Sequence, residues 1–344
     1  MSNLLTLVEK FCRAHLLVIG DLMLDRFIRG EVERISPEAP VPVLRVVSEN
    51  TSLGGAANVI HNVQSLGGRV TACGIIGEDN AGKRIVAALR EAGASTAGVV
   101  VDAAYPTIQK TRIIASPRHQ QIVRLDRESH GPVGQPTLRK LRHFISAQLD
   151  RYDGVIISDY GKGAIHEELL DGVAAKVAAG KIVCVIDPKK ENFEHYRCPT
   201  LITPNKMEAS EASGITIGDE ASLIAAGAKL VRKWQAKAVL ITRGPDGMSL
   251  FRPRAAVSHF PTEPRDVFEV TGAGDTVVAV CGLALACGAG YEETAVLANI
   301  AAGFVGDEVG TVAVPAERLL RGVKEKNSAV RFVKRNNLRS TRQL

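Results

Sequence analysis

The segment Val270-Thr-Gly-Ala-Gly-Asp-Thr276 sets two glycines, an alanine and one acid directly ahead of the apolar run 277–286. Glycines before a helix let backbone N–H groups converge on an anion at the positive end of the helix dipole. The amides of Gly272, Ala273 and Gly274 are therefore a candidate anion site. An acid at Asp275 would repel a phosphate held there, so it needs another use. One reading makes it a general base, deprotonating a hydroxyl that attacks a phosphoryl group gripped by those amides. The other makes it an ordinary helix cap. Both stay open on this segment alone.

Three further segments carry polar groups where a ligand could use them. Leu53-Gly-Gly-Ala-Ala-Asn58 opens a helix that runs through residue 65. Gly54 and Gly55 permit close approach to backbone, and Asn58 can donate to and accept from a polyol. Gly20-Asp-Leu-Met-Leu-Asp25 places Asp21 and Asp25 just past an apolar strand, as acceptors for sugar hydroxyls or as caps. Thr203-Pro-Asn-Lys-Met-Glu208 starts a helix with Asn205 and Glu208 three apart, hence on one face. Oxygen ligands beside phosphates suit Mg²⁺, and a plain capping arrangement fits the same letters. The run 77–84 has the GxxxxGK frame of a P-loop, but Arg84 replaces the metal-ligating hydroxyl and Glu78 and Asp79 put negative charge where phosphates belong. It reads as a loop and a helix start.

These segments need a scaffold that brings them together. Apolar, β-branched runs at 16–20, 70–76, 154–159, 182–187, 200–203 and 238–242 read as strands. Helix-period stretches at 81–92, 135–149, 166–179 and 220–235 lie between them. That alternation predicts an α/β fold, a parallel sheet covered by helices on both faces. Ligands in such sheets gather beyond the carboxyl ends of the strands, which directs attention to Asp21, Asp159, Asp187, Asn205 and Arg243. Segments 30–50 and 107–126 do not fit the alternation and read as a small accessory sheet, placed to cover the strand ends as a lid.

The chain has 344 residues, 45% hydrophobic and 23% charged, long enough for a sizeable core and too apolar for a disordered chain. Six cysteines without a CxxC pair suit a reduced, cytoplasmic setting. No signal-peptide pattern precedes the first strand, and the uncharged stretch 276–291 is too short for a membrane span. The net charge of +6 sits in the tail: residues 321–344 carry +7 and the rest sums to −1. A basic tail on a near-neutral body differs from a basic binding face, so neither nucleic acid nor membrane is an expected partner.

Together, GGAAN early, TPN-x-x-E in the middle and TGAGD late resemble the ribokinase-like (PfkB) family of sugar kinases, over about residues 12–320. Within it, segments 20–26, 34–44, 53–59, 157–164, 187–189 and 203–205 resemble the branch that phosphorylates D-glycero-β-D-manno-heptose 7-phosphate. The resemblance implies a ribokinase-like αβα Rossmann-type sandwich over residues 1–320, with a β-lid that often forms a homodimer interface, followed by a helix end and basic tail at 321–344. It implies ATP and Mg²⁺ as cofactors, leaves a monovalent cation such as K⁺ open, and implies phosphorylation at the anomeric C1 hydroxyl, a step toward ADP-heptose for the lipopolysaccharide core. With no nucleotidylyltransferase signature before residue 344, the stand-alone kinase form is the expectation. Another sugar phosphate as substrate, or a non-catalytic sensor of the same fold, are the alternatives.

By that resemblance Asp275 matches the base and Gly272, Ala273 and Gly274 the anion hole. Asp21, Asp25, Gly54, Gly55 and Asn58 match sugar contacts. Asn205, Lys206, Met207 and Glu208 match the phosphate and Mg²⁺ segment, with Asn205 and Glu208 toward the metal. Thr242, Arg243 and Gly244 match the strand end beside the nucleotide, and Asn299 the adenine pocket. A phosphorylated substrate also needs cations, for which Lys110, Arg124 and Lys162 are candidates. Alternation places Arg124 and Asp126 on one face, so Arg124 either enters the site or pairs with Asp126; Lys162 either serves the site or is a solvated loop residue.

Overall fold

The computed structural model describes residues 2–116, 120–129, 131–262, 272–305 and 313–326. After α1 (Ser2–Glu9), the run at 16–20 becomes the buried strand β1 (His15–Gly20). Two long strands follow, β2 (Leu22–Ile35) and β3 (Pro42–Gly55), before α2 (Ala56–Ser65) returns the chain to the body. β4 (Arg69–Ile76), α3 (Asn80–Glu91) and β5 (Ser95–Val101) take up the alternation, which β6 (Ile108–Ser116) and β7 (Gln120–Arg127) interrupt. It resumes with α4 (Gln135–Gln148), β8 (Gly154–Ser158), α5 (Glu167–Ala178), β9 (Val183–Asp187) and β10 (Leu201–Ile202). Then come α6 (Lys206–Ser213), α7 (Glu220–Lys233), β11 (Val239–Thr242), β12 (Met248–Phe251) and β13 (Ser258–Phe260). The helices α8 (Ala273–Ala286) and α9 (Tyr291–Val305) follow, and residues 316–326 are also helical.

The large sheet has the order β13-β12-β11-β10-β9-β8-β1-β4-β5, parallel from β5 to β11 and antiparallel at the β12–β13 edge. Its strands are apolar on both sides, as a sheet covered on both faces requires. Leu16 and Val18 of β1 enter the core beneath α2, α8 and α9, while Leu17 and Ile19 enter the opposite core with α4, α5 and α7. α8 lies close to the sheet because position 282 has no side chain: a Cβ there would meet Ile156 Cδ1 at 2.6 Å. α8 thus packs against β1, β8 and β9.

The second sheet has the order β3-β2-β6-β7, with β2 and β6 parallel and the outer pairs antiparallel. It contains both segments that broke the alternation, but it is larger than 30–50 and 107–126 suggest. β2 leaves the body directly after Asp21, and β3 re-enters it at Gly55. Proline and β-branched residues mark only the exposed far end; the near end, Leu22–Leu24 and Leu53–Gly55, is buried and reads like core.

The P-loop lookalike is a helix start. The Asp79 carboxylate accepts from the Gly82 and Thr107 amides at 2.8 and 2.9 Å, filling the space where a phosphate would sit. No described helix is long and apolar enough to cross a membrane. Val270 and Thr271 of the glycine segment, and residues 327–344 of the basic tail, lie outside the described residues.

Candidate active site

Asp275 lies in the first turn of α8, whose N-cap is Gly272 in the left-handed region at φ 86°. The N-cap, a glycine, offers the first-turn amides no side chain, and a Cβ built on Gly274 meets nothing within 4 Å. These amides sit at the positive end of the dipole, a setting that suits a phosphate group. Asp275 does not cap its own helix. Its Oδ2 accepts from Asn58 Nδ2 of α2 at 2.7 Å, and its Oδ1 accepts from the Tyr160 hydroxyl at 2.7 Å. The capping alternative falls on that geometry. Burial pushes the carboxyl up to about 6, against the pull of those two hydrogen bonds.

The loop after β8 is fastened by two more acids. The Asp21 carboxylate accepts from the amides of Tyr160, Lys162 and Ala164 at 2.9, 3.1 and 3.1 Å. This corrects the expectation for Asp21: buried and turned to three loop amides, it holds the loop instead of facing a sugar. Asp159 accepts from the Gly161 amide, Asn192 Nδ2 and the Tyr196 hydroxyl, and burial pushes it too up to about 6. Lys162, in the same loop, is not a solvated residue: its Nζ pairs with Glu128 at 2.7 Å.

Asp25, Lys110 and Asp126 stand side by side across the lid, and Phe27, Arg112 and Arg124 do the same two residues further on. Lateral neighbours share a face, and this one looks into the site: Lys110 Nζ lies 5.4 Å from the Tyr160 ring centre. Asp25 and Arg112 form a largely buried ion pair at 2.6 Å, with the Arg112 guanidinium over Phe27 at 5.4 Å. Gly54 is where it is because a Cβ there would meet Asp25 Oδ2 at 2.5 Å. Gly55 sits at φ 54°, at the turn into α2. Arg124 resolves the other way from a site role. It makes two hydrogen bonds to Asp126, at 2.8 and 3.0 Å, on a strand exposed along its length. Arg112 beside it repels it, and the acid two residues on is the nearest counter-charge. Burial lowers the Lys110 ammonium from its ordinary value.

Asn205 and Glu208 form a reciprocal capping box on α6, at 2.9 and 3.0 Å. The other Glu208 oxygen is 3.2 Å from Lys189 Nζ. Both Glu208 oxygens thus already have a partner in the protein, and the capping reading of these letters is present in the structure. At the end of β9, burial, then the charges of Glu208 and Asp275, push the Asp187 carboxyl well above the usual range. Lys206 and Met207 are exposed on the first turn of α6.

Thr242 bridges to Asn205, joining the ends of β10 and β11. Gly244 follows at φ 57°. Arg243 Nη2 donates to the Asp246 carbonyl at 2.7 Å, while its buried Nε makes no hydrogen bond among the described residues. Arg243 lines a cavity of about 390 Å³ with Lys206, Asp246 and His259. Asn299 is buried in α9 and donates to the Pro261 carbonyl at 2.9 Å, anchoring the chain that leads back toward α8. Asp275, Asn58, Asp25, Gly54 and Lys110 thus come together at one place. Sequence reasoning missed Tyr160 and Arg112. Arg112 was within reach of it, sharing the alternation of the 107–126 run with Lys110; Tyr160 had no signal beyond its place after a strand.

Residues 13–317 match the family described as pfkB family carbohydrate kinase. The chain is 48% identical over 302 residues to Bifunctional protein HldE of Geobacter metallireducens, covering 88% of this chain and 61% of that protein. It is 46% identical over 302 residues to Bifunctional protein HldE of Geobacter sulfurreducens, with the same two coverages, 88% and 61%. The chain therefore spans about three-fifths of the length of these curated relatives. Among solved structures, Escherichia coli phosphofructokinase-2 in complex with potassium superposes with a TM-score of 0.76 at 20% identity, covering 90% of this chain and 97% of that one. Arabidopsis thaliana ribokinase complexed with ribose and ATP gives 0.70 at 21% identity, covering 90% and 99%. At those identities the likeness speaks for the fold.

The buried Asp275 carboxyl has a consequence for stability. Its folded-state value of about 6 lies above the ordinary 3.8, so between those pH values the folded protein binds more protons than the unfolded chain. Its contribution therefore declines as pH rises from about 4 to 6, and ionised Asp275 is a cost at neutral pH. Asp275→Asn is expected to be more stable than the wild type by about 1–3 kcal/mol at pH 7. Urea denaturation across pH checks this: the gain should shrink toward pH 4, and a variant less stable at pH 7 would contradict it.

Proposed function

We propose that this chain, which belongs to the pfkB family of carbohydrate kinases and is a sugar kinase, acts on a phosphorylated heptose. The acceptor is D-glycero-β-D-manno-heptose 7-phosphate, phosphorylated by ATP at its C1 hydroxyl to the 1,7-bisphosphate, on the way to ADP-heptose for the lipopolysaccharide core. The observation that carries the reading is a buried, uncapping carboxylate set between an open helix N-terminus and a lid face bearing two cations. A base and an anion site are what phosphorylating a hydroxyl requires, and Lys110 with Arg112 supplies what a distant phosphate requires. The motif resemblance to heptose 7-phosphate kinases, and the identity to the bifunctional HldE proteins, favour heptose over hexose.

ATP supplies the γ-phosphoryl group, accompanied by a divalent metal for which Asp187 is the carboxylate we assign. Asp275 takes the proton from the C1 hydroxyl as that oxygen bonds to phosphorus, and the bond to ADP breaks. Asn58 and Tyr160 keep the carboxylate aimed, leaving each oxygen a lone pair for the incoming proton. The amides of Gly272, Ala273 and Gly274 gather the charge that develops on the transferring group. Asp25 faces the sugar from the lid, and Arg112 with Lys110 reads the 7-phosphate. The kinase unit is residues 1–320. The lid serves as the homodimer interface, because its outer strands expose Val46, Val47 and Leu125 at 54–63%.

ADP release with ATP and Mg²⁺, across a panel of heptose 7-phosphate, hexose 6-phosphates and the unphosphorylated sugars, tests the substrate. Turnover is expected with the heptose 7-phosphate, and turnover confined to hexose phosphates would contradict it. Asp275→Asn is expected to lose about 10²–10⁴-fold in kcat with little change in ATP affinity. For the interface, sedimentation at micromolar concentration is expected to give a dimer that Val47→Glu dissociates. A fully active wild-type monomer would count against it.

A further inference from the structure

The Tyr160 side chain touches both halves of the site. Its hydroxyl donates to Asp275 Oδ1 at 2.7 Å, while Lys110 Nζ of the lid rests over its ring at 5.4 Å from the centre. Its backbone is fixed, since its amide donates to Asp21 at 2.9 Å and the neighbouring Asp159 is tied to Gly161, Asn192 and Tyr196. A rigidly mounted phenol joins two movable charges. We propose that Tyr160 is a positioning residue that sets both the Asp275 carboxylate and the lid cation Lys110, so that the proton acceptor and the phosphate reader are placed by one side chain. The proposal rests on Asp275 acting as the base.

Two consequences separate the roles of hydroxyl and ring. Without the hydroxyl, Asp275 keeps only Asn58 to fix its direction, and misorientation of a base is felt in the chemical step. Without the ring, Lys110 loses its seat, and a cation–π contact of this kind is worth several-fold in affinity. Arg112 keeps its own partner, Asp25, at 2.6 Å in either case.

The test compares Tyr160→Phe, Tyr160→Leu, Lys110→Met and the Tyr160→Leu/Lys110→Met double variant, each with melting curves to establish folding. The acceptor is whichever panel sugar phosphate the wild type turns over, so rejection of heptose 7-phosphate would overturn the substrate assignment while these ratios could still be measured. Tyr160→Phe should lower kcat about 10- to 30-fold and leave both KM values within twofold. Tyr160→Leu should add a rise in acceptor KM of about fivefold, matched by Lys110→Met and not enlarged in the double variant. Wild-type kcat in Tyr160→Phe would overturn the hydroxyl's role. Additive KM effects in the double variant would overturn the coupling to Lys110, and since Lys110→Met and Tyr160→Phe keep most of the side-chain volume, the test does not hinge on Tyr160→Leu alone.

Discussion

A carboxylate kept ionised inside a protein is the constraint around which this molecule is arranged. Asp275 is 5% exposed, and burial alone moves its proton affinity most of the way to neutrality. Ionising such a group needs donors that do not waver. They come from two separate elements, Asn58 at the start of α2 and Tyr160 in the loop after β8. Each is held in turn. The Asn58 carbonyl accepts from Asn62 Nδ2, and Asn62 Oδ1 accepts from the Thr276 hydroxyl next to Asp275 in α8. The Tyr160 loop hangs on Asp21 and Asp159. Small residues complete the geometry, with Gly282 letting α8 lie against β8 and Gly54 making room for Asp25.

The charges around the base are graded. Asp187 and Glu208 lie on the strand-end side, close enough that Glu208 raises the cost of ionising Asp187. Lys110 and Arg112 lie on the lid side. Asp275 stands between the two groups of charges, and the proposed division of proton removal from phosphoryl transfer follows that placement. The lid cations differ in kind. Arg112 is paired with Asp25 and lies over Phe27, whereas Lys110 stands between Asp25 and Asp126 with its ammonium over the Tyr160 ring, and burial lowers its proton affinity.

Much of this was legible in the sequence where composition and periodicity coincide. Strands such as Leu16–Gly20 are unbroken apolar runs, because a sheet buried on both faces gives no alternation to misread. The glycine segment gave the α8 start, and 107–126 gave the lid by alternating. The near half of the lid was hidden because Leu22–Leu24 and Leu53 are buried like core. β12 and β13, of four and three residues, are too short to carry a period. At the site, residue types could nominate Asp21, Lys162 and Arg124 but not assign their partners. Loop amides claimed the first, Glu128 the second and Asp126 the third, and each pairing depends on contacts that spacing does not encode. Asn205 and Glu208 show the same ambiguity, since the letters of a capping box are also those of an oxygen ligand pair.

As the proposed base, Asp275 must lose its proton in a buried setting. The pH dependence of kcat at saturating ATP and acceptor measures this most directly. A carboxyl held at about 6 predicts a plateau above neutrality and a tenfold fall per pH unit below about pH 6, with no such limb in the residual rate of Asp275→Asn. A wild-type kcat that is flat from pH 5 to 8, or an acid limb that persists in Asp275→Asn, would contradict it.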